Sequence, residues 1–232
     1  MENTTKAKDN ASLVFETLKS DILQLNIKPG ALITEQEVCK EFGVSRTPVR
    51  TAFQRLSDCG LLEIVPYKGA RAALIDLSIV QQSIFMRSAI EEKVLKCYID
   101  LYDEFSLCDV NSNLSKQKIL LERNDFTSAQ FYEIDSELHK IWFDRLGYTY
   151  LWNLIQNLDV HYTRFKILDL VDDASHFIEI VAEHKALVEA IENHNKEAAA
   201  AVIQKHLEGG VRRLQKEIGT KFASYFTEAM NE

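Results

Sequence analysis

Two groups of side chains in this 232-residue sequence could do chemistry. The first is basic. Arg46 and Arg50 are four apart and share one helical face. Ser45 stands where an N-cap would, and Pro48 lies in the first turn, where a missing N–H costs nothing. Between Glu41 and Asp58 there are three arginines and no acidic residue. A helix start with exposed arginines and a positive dipole end suits phosphates and guanine edges in a major groove. The second group is Asp135, His139, His184 and His206. Asp135 and His139 are also four apart, beside Leu138, Trp142 and Phe143. His184 shares a stripe with Leu187, Val188 and Ile191, and His206 shares one with Val202 and Ile203. A buried carboxylate needs a partner. One carboxylate and three imidazoles facing inward can hold one divalent ion, and this donor set suits Zn, Ni, Mn or Fe better than Cu(I). By spacing alone, a hydrogen-bonded polar core accounts for the four residues equally well. A surface helix bearing arginines would likewise account for the first group taken in isolation.

The elements around the basic helix narrow that choice. Leu13, Val14, Leu18, Ile22 and Leu25 recur at helical spacing and predict a helix over 11–25. Lys28-Pro29-Gly30 follows as a turn. Thr34 and Glu37 form a capping box for a short second helix reaching Glu41. Gly43 suits the turn into the third helix, whose apolar face is Val49, Ala52, Phe53 and Leu56. Cys59-Gly60 stops that helix. Strands are expected over 61–65 and 70–74, joined by a turn at 66–69 that carries Lys68. Three helices and a basic-tipped hairpin make a winged helix-turn-helix, whose second motif helix enters the groove.

Residues 11–74 resemble the DNA-binding domain of the GntR family of bacterial transcription regulators. Lys28-Pro29-Gly30-Ala31-Leu32, Thr34-Glu35-Gln36-Glu37-Val38 and the run from Phe42 to Arg50 carry most of the match. Gly60-Leu61-Leu62 and Lys68-Gly69-Ala70 complete it. The resemblance implies that Arg46 and Arg50 contact bases or phosphates and that Thr47 supports them. It also implies that Gln36 touches a phosphate and that Gly69 lets the wing approach closely. Ser45 and Lys68 complete the expected DNA-facing set. Thr51-Ala52-Phe53 departs from the family's usual Glu-Ala-Leu and leaves the DNA-facing positions in place.

The totals fit a two-part chain. Residues 1–76 hold ten Lys/Arg and ten Asp/Glu, so the net charge of −8 belongs to the remainder. An acidic module repels DNA, so its job is a separate one. The expected boundary is near Asp76. Cysteines 39, 59, 97 and 108 form no metal-type pair or disulfide framework, which points to a reducing cytoplasm. No run is apolar and long enough to span a membrane. The first ten residues are polar, lack a signal-peptide core and are expected to be a disordered tail.

From Leu77 onward the periodicity is helical. Helices are expected over 78–103, 111–122, 126–146, 148–168, 174–193 and 195–217, followed by a short tail that completes the second module over 77–232, with breaks at 109–112, 124–125, 147 and 172–175. The expected fold is therefore mainly α, a winged helix-turn-helix followed by an antiparallel helical bundle. Residues 78–218 resemble the FCD ligand-binding domain of the FadR-type branch of GntR regulators. The resemblance rests on Asp135 with His139, Glu183-His184 and His206-Leu207. It implies that Asp135, His139, His184 and His206 bind a divalent metal with positions left for water or an effector carboxylate. Arg87, in Phe85-Met86-Arg87-Ser88-Ala89-Ile90-Glu91, resembles the arginine on the first FCD helix and would pair with an acidic effector. An ion pair with Glu91 on the surface is the alternative. Arg164 is a second candidate of that kind, and Tyr132 and Tyr162 would line the cavity. His161, His176 and His194 match no ligand position. Gly209-Gly210 falls inside the last helix and predicts a kink there.

These readings converge on a transcription regulator. Two chains would pair on a pseudo-palindromic double-stranded operator, and a small carboxylate at the metal site would control affinity. A metal-dependent enzyme fused to a DNA-binding domain is the competing reading. No HExxH, GxSxG or P-loop pattern accompanies it. A third reading has the metal only stapling the bundle.

Overall fold

The computed structural model describes residues 2–123, 125–158 and 160–227. The chain forms two compact units. One joins Met1–Leu77 with Ile218–Glu232, and the other is Ser78–Glu217.

In the first unit, α1 (Glu2–Leu23) packs on α3 (Arg46–Asp58). Val14, Leu18 and Ile22 are buried from α1, as are Val49, Ala52, Phe53 and Leu56 from α3. Burying each of these larger side chains contributes about 1.5–3 kcal/mol. Between these helices in sequence lies α2 (Glu35–Phe42), and Thr34 and Glu37 close its capping box as expected. Gly43 ends it in the left-handed region, at φ 63. The sheet has the order β1-β3-β2, with β1 (Leu32–Ile33), β2 (Leu62–Val65) and β3 (Gly69–Ala72) all antiparallel. The hairpin was legible; β1, only two residues long, is too short to show alternation.

Two expectations change here. Helix α1 begins at Glu2, within the ten residues read as a disordered tail. No proline or glycine interrupts that stretch, so nothing local stops the helix. Residues 219–227 return to the first unit instead of ending the second. Ile75 donates to the Tyr225 carbonyl at 2.8 Å and accepts from Thr227 at 3.0 Å. Phe222 and Phe226 are buried.

The second unit is a bundle of α4 (Leu77–Leu101), α5 (Glu104–Arg123), α6 (Ser128–Arg145), α7 (Thr149–Leu158), α8 (Val160–Asp172), α9 (Ser175–Glu192) and α10 (Lys196–Ile218). Helix α5 packs on α6 and α9, and α8 packs on α6 and α9. The expected break at 109–112 is absent, because Asp109 and Ser112 sit on the exposed side of α5. Its other face buries Ser106, Val110, Asn113, Leu114 and Gln117. The helix expected over 148–168 falls on α7 and α8, which lie on either side of residue 159, itself outside the described residues. Gly209 and Gly210 do not interrupt α10. A Cβ on Gly210 would stand 3.0 Å from Phe165, and one on Gly209 would stand 2.8 Å from the Arg213 guanidinium. The pair therefore serves close packing on α8 and makes room for the buried Arg213–Asp169 ion pair, at 2.6 Å. Among the described residues, no helix is long and apolar enough to cross a membrane.

Candidate functional site

The basic face comes together as expected. Gln36, Ser45, Arg46, Thr47, Arg50 and Lys68 are all exposed. A cleft of about 480 Å³ runs between the helices and the wing, lined by Gln36, Arg46, Arg50, Lys68 and Gly69 among others. Ser45 occupies the N-cap position without a side-chain cap bond, so the first amides of α3 stay open to another acceptor. Thr47 lies on the same first turn, where its carbonyl accepts from Thr51 Oγ1 at 3.1 Å. Arg50 is not a bare cation: its Nε donates to Glu35 Oε1 at 2.8 Å. Both partners reach solvent, so the pair is weak and exchangeable. Gly69, at φ 119, is required by the sheet, since a Cβ there would fall 2.3 Å from the Ile33 carbonyl oxygen. Glu35 and Tyr67 were not anticipated. Tyr67, fully exposed at the hairpin tip with φ 64, presents an aromatic edge beside Lys68.

In the second unit, α6, α9 and α10 bring Asp135, His139, His184 and His206 together. Each offers one ligand atom, these atoms lie within 4.8 Å of one another, and all four residues are buried. His184 Nε2 is 3.4 Å and His206 Nε2 3.8 Å from Asp135 Oδ1. Each imidazole uses its Nδ1 outward. His139 Nδ1 meets Glu91 Oε2 at 2.5 Å, His184 Nδ1 meets Gln117 Oε1 at 2.7 Å, and His206 Nδ1 meets Glu183 Oε2 at 3.1 Å. An acceptor at Nδ1 fixes the ring with Nδ1–H and leaves Nε2 as a lone-pair donor. Among the described residues, Asp135 Oδ1, His139 Nε2 and His184 Nε2 have no hydrogen-bond partner. Buried polar atoms left unpaired cost about 1–3 kcal/mol each, so three converging on one point form a site that could hold a metal ion. The donors are of the kind a divalent ion takes, and the residues fit one.

The electrostatics favour that state. Burial pushes His184 down to about 3, against the opposing pull of Asp135. Burial, and then the neighbouring His184 and Lys166, holds His206 well below the usual imidazole range. Both rings are therefore neutral at pH 7, as ligation requires. Burial opposes charge on Asp135, but Lys166, His184, His139 and Arg87 outweigh it and keep the carboxylate ionised. Burial likewise opposes charge on Glu91, but Arg87 and His139 hold it at about 2.

Arg87 is paired with Glu91, as the alternative had it, but the pair is buried and not on the surface. Its Nε donates to Glu91 Oε1 at 2.6 Å, and its guanidinium lies 4.6 Å from the Tyr162 ring centre. Tyr162 is buried, and the half-buried Tyr132 meets Thr163 Oγ1 at 3.3 Å. Arg164 is buried, with Nε donating to the Val160 carbonyl at 3.2 Å and a contact of 3.3 Å to His161. It lies two residues from Tyr162, hence on the opposite side of α8. His176 touches Asp169, and His194 stacks on Tyr102, so both are structural. Gln117, Lys166 and the bond from Glu91 to His139 escaped the sequence reading. Gln117 and Asn113 did leave a signal as amides four apart on an otherwise apolar face.

Comparison with known proteins agrees with this division. The family model "Bacterial regulatory proteins, gntR family" matches residues 10–72, and the FCD domain model matches residues 82–209. The chain is 28% identical over 207 residues to the HTH-type transcriptional repressor RspR of Escherichia coli strain K12, covering 88% of this chain and 90% of that protein. It is also 28% identical over 195 residues to an uncharacterized HTH-type transcriptional regulator, YdhC, of Bacillus subtilis strain 168, covering 83% and 85%. Among solved structures, E. coli McbR/YncC superimposes with a TM-score of 0.71 at 18% identity, covering 90% of this chain and 98% of that one. A GntR regulator of Rhodococcus sp. RHA1 gives 0.69 at 21% identity, covering 90% and 99%. These structural likenesses speak to fold alone. With an exposed basic recognition helix beside a wing, and an FCD domain over more than half its length, this chain belongs to the gntR family of bacterial regulatory proteins and is a DNA-binding transcription regulator.

Proposed function

We propose that this regulator holds one divalent ion, Zn, Ni, Mn or Fe, on Asp135, His139, His184 and His206, and that a small carboxylate binding there controls operator affinity. The observation that carries this reading is the convergence of unpartnered Asp135 Oδ1, His139 Nε2 and His184 Nε2 in a buried centre. The ion supplies Lewis-acid positions for oxygen donors of the effector. Arg87 and Tyr132 are the effector-binding side chains proposed alongside it; Arg164, held by the Val160 carbonyl and His161 on the side of α8 away from Tyr162, is not. Arg46, Arg50, Thr47, Ser45, Gln36, Lys68 and Gly69 form the DNA face. The chain acts as a cytoplasmic homodimer on a pseudo-palindromic operator, with no catalytic turnover. Two covalent crossings join the units, at Leu77–Ser78 and Glu217–Ile218. The second continues directly from α10, the helix of His206, so strain at the metal centre has a short path to the tail that pairs with Ile75.

Metal analysis of the purified protein, beside an Asp135→Ala/His184→Ala variant, tests the centre. Near one equivalent in the parent, lost in the variant, supports it. An operator selected from random duplex DNA then tests control. An acid that shifts operator affinity in the metal-loaded parent and not in the variant supports the full reading. Chelation that lowers thermal stability, with no acid altering DNA affinity, would leave the ion as a staple.

A further inference from the structure

Helix α8 is buried along nearly its whole length, and one of its residues is a lysine. Lys166 is 1% exposed. Among the described residues, nothing accepts a hydrogen bond from its Nζ. A buried ammonium without an acceptor is among the more costly arrangements a core can hold. Lysines with no role are found at the surface, or are paired.

Its location explains what it is for. Lys166 lies four residues after Tyr162 and so shares its face of α8. Tyr162 stacks against the Arg87 guanidinium, and Arg87 holds Glu91, which holds His139. The lysine charge also acts on Asp135, His184, His206 and Glu183. It therefore lies within electrostatic reach of Asp135, His184 and His206, the proposed metal ligands. The two cations there differ: Arg87 is neutralised by Glu91, whereas Lys166 has no ion pair among the described residues.

Charge counting points the same way. A divalent ion against one ligating carboxylate, Asp135, leaves the centre positive, and Lys166 adds a further charge that the buried Glu183 carboxylate on His206 offsets only in part. Such a centre, shut away from water, attracts an anion strongly. A hydrophobic or uncharged ligand would leave that net positive charge uncompensated.

We propose that Lys166 is the anion receptor of the effector site: it binds a carboxylate of a small organic acid whose remaining oxygen donors fill the open metal positions. This rests on the metal reading above and adds to it the residue that selects for acids. The ammonium donates its hydrogen bonds to the carboxylate, and the effector supplies the acceptor that the chain withholds.

The test uses the full-length protein loaded with Ni and titrated calorimetrically with malonate, malate and the neutral analogue malonamide. The parent, Lys166→Met and Lys166→Arg are compared at measured metal content. The expected result is that the parent binds at least one of the two acids and not malonamide. Lys166→Met then keeps its metal and loses at least tenfold in acid affinity, and Lys166→Arg retains part of it. Before any acid is added, Lys166→Met should melt higher than the parent by about 3 °C, since an unpaired buried charge has been removed. A structural lysine would give a lower melting temperature instead. Equal acid affinity in parent and Lys166→Met, both metal-loaded, overturns the assignment of Lys166 and leaves the metal centre standing. A parent that binds malonamide as well as malonate, or neither acid, overturns it too. A parent that takes up no metal overturns the underlying metal reading.

Discussion

Glu91 and His139 meet across two helices, with Oε2 2.5 Å from Nδ1 and both side chains fully buried. Glu91 is held from its other oxygen by Arg87, so an arginine, a carboxylate and an imidazole form one line ending at the candidate metal centre. This geometry makes Glu91 a positioning residue. Glu91→Gln should weaken metal binding roughly 10–100-fold, the usual effect of removing such a partner. Competition against a chelating dye measures this. An unchanged affinity would mean that the ring is held by packing against Trp142 and Trp152 alone.

Gln117 performs the same service for His184 without a charge. Gln117→Leu should lower metal affinity by a smaller factor than Glu91→Gln, because an amide raises ligand basicity less than a carboxylate does. The same dye competition ranks the two variants. The reverse order would contradict the assignment of roles.

On the DNA face, Arg46→Ala should cost about 1–3 kcal/mol of operator binding if it reads a base edge. Arg50 must first release Glu35. Glu35→Gln should therefore tighten DNA binding and steepen its salt dependence, since one more cation is free for phosphate. Fluorescence anisotropy over a salt series distinguishes these. Weaker binding by Glu35→Gln would show that the ion pair orients Arg50 for DNA and does not restrain it.

Gly69→Ala should destabilise the first unit. The left-handed backbone alone costs about 1–3 kcal/mol for a residue with a Cβ, and that Cβ would press on the Ile33 carbonyl. Thermal melting and operator affinity should fall together. A normal melt with reduced DNA binding would assign Gly69 to DNA contact instead.

The metal-free protein should lose stability in acid in two stages. Burial depresses the His184 pKa from 6.5 to about 3 and holds His206 well below 6.5 as well, so the folded state binds fewer protons than the unfolded chain in that window. Stability is fully present above 6.5 and falls as pH drops toward 3. The Glu91 pKa is depressed from 4.5 to about 2, so its contribution is lost only below 4.5. Calorimetry of chelated protein from pH 8 to 3 should show a decline starting near 6.5, flattened at its upper end in His184→Gln. A melting temperature independent of pH between 6.5 and 4.5 would count against the burial of that ring.

Much of this molecule could be read from its residues in order. Thr34 with Glu37, Gly43, Pro48 and the spacing of Val49, Ala52, Phe53 and Leu56 are local signals, acting within one or two turns. They specified the helix-turn-helix and placed Arg46 and Arg50 on its exposed side. Spacing of four also put Asp135 and His139 on one face, and the resemblance to the FCD domain, through Glu183-His184 and His206-Leu207, pointed to His184 and His206 as the proposed partners. What the sequence could not decide was anything set by distant partners. The polar run at 109–112 read as a break, yet α5 continues through it, because the opposite face is buried. Gly209-Gly210 read as a kink, yet α10 continues, because Phe165 and Asp169 need the space. Lys166 read as an unremarked basic residue until α8 proved to be buried on nearly every side. The desolvation that depresses His184 and leaves Lys166 without an acceptor comes from residues far away in sequence. Local propensity carries no record of that burial, so only the tertiary structure could reveal where the charge stands.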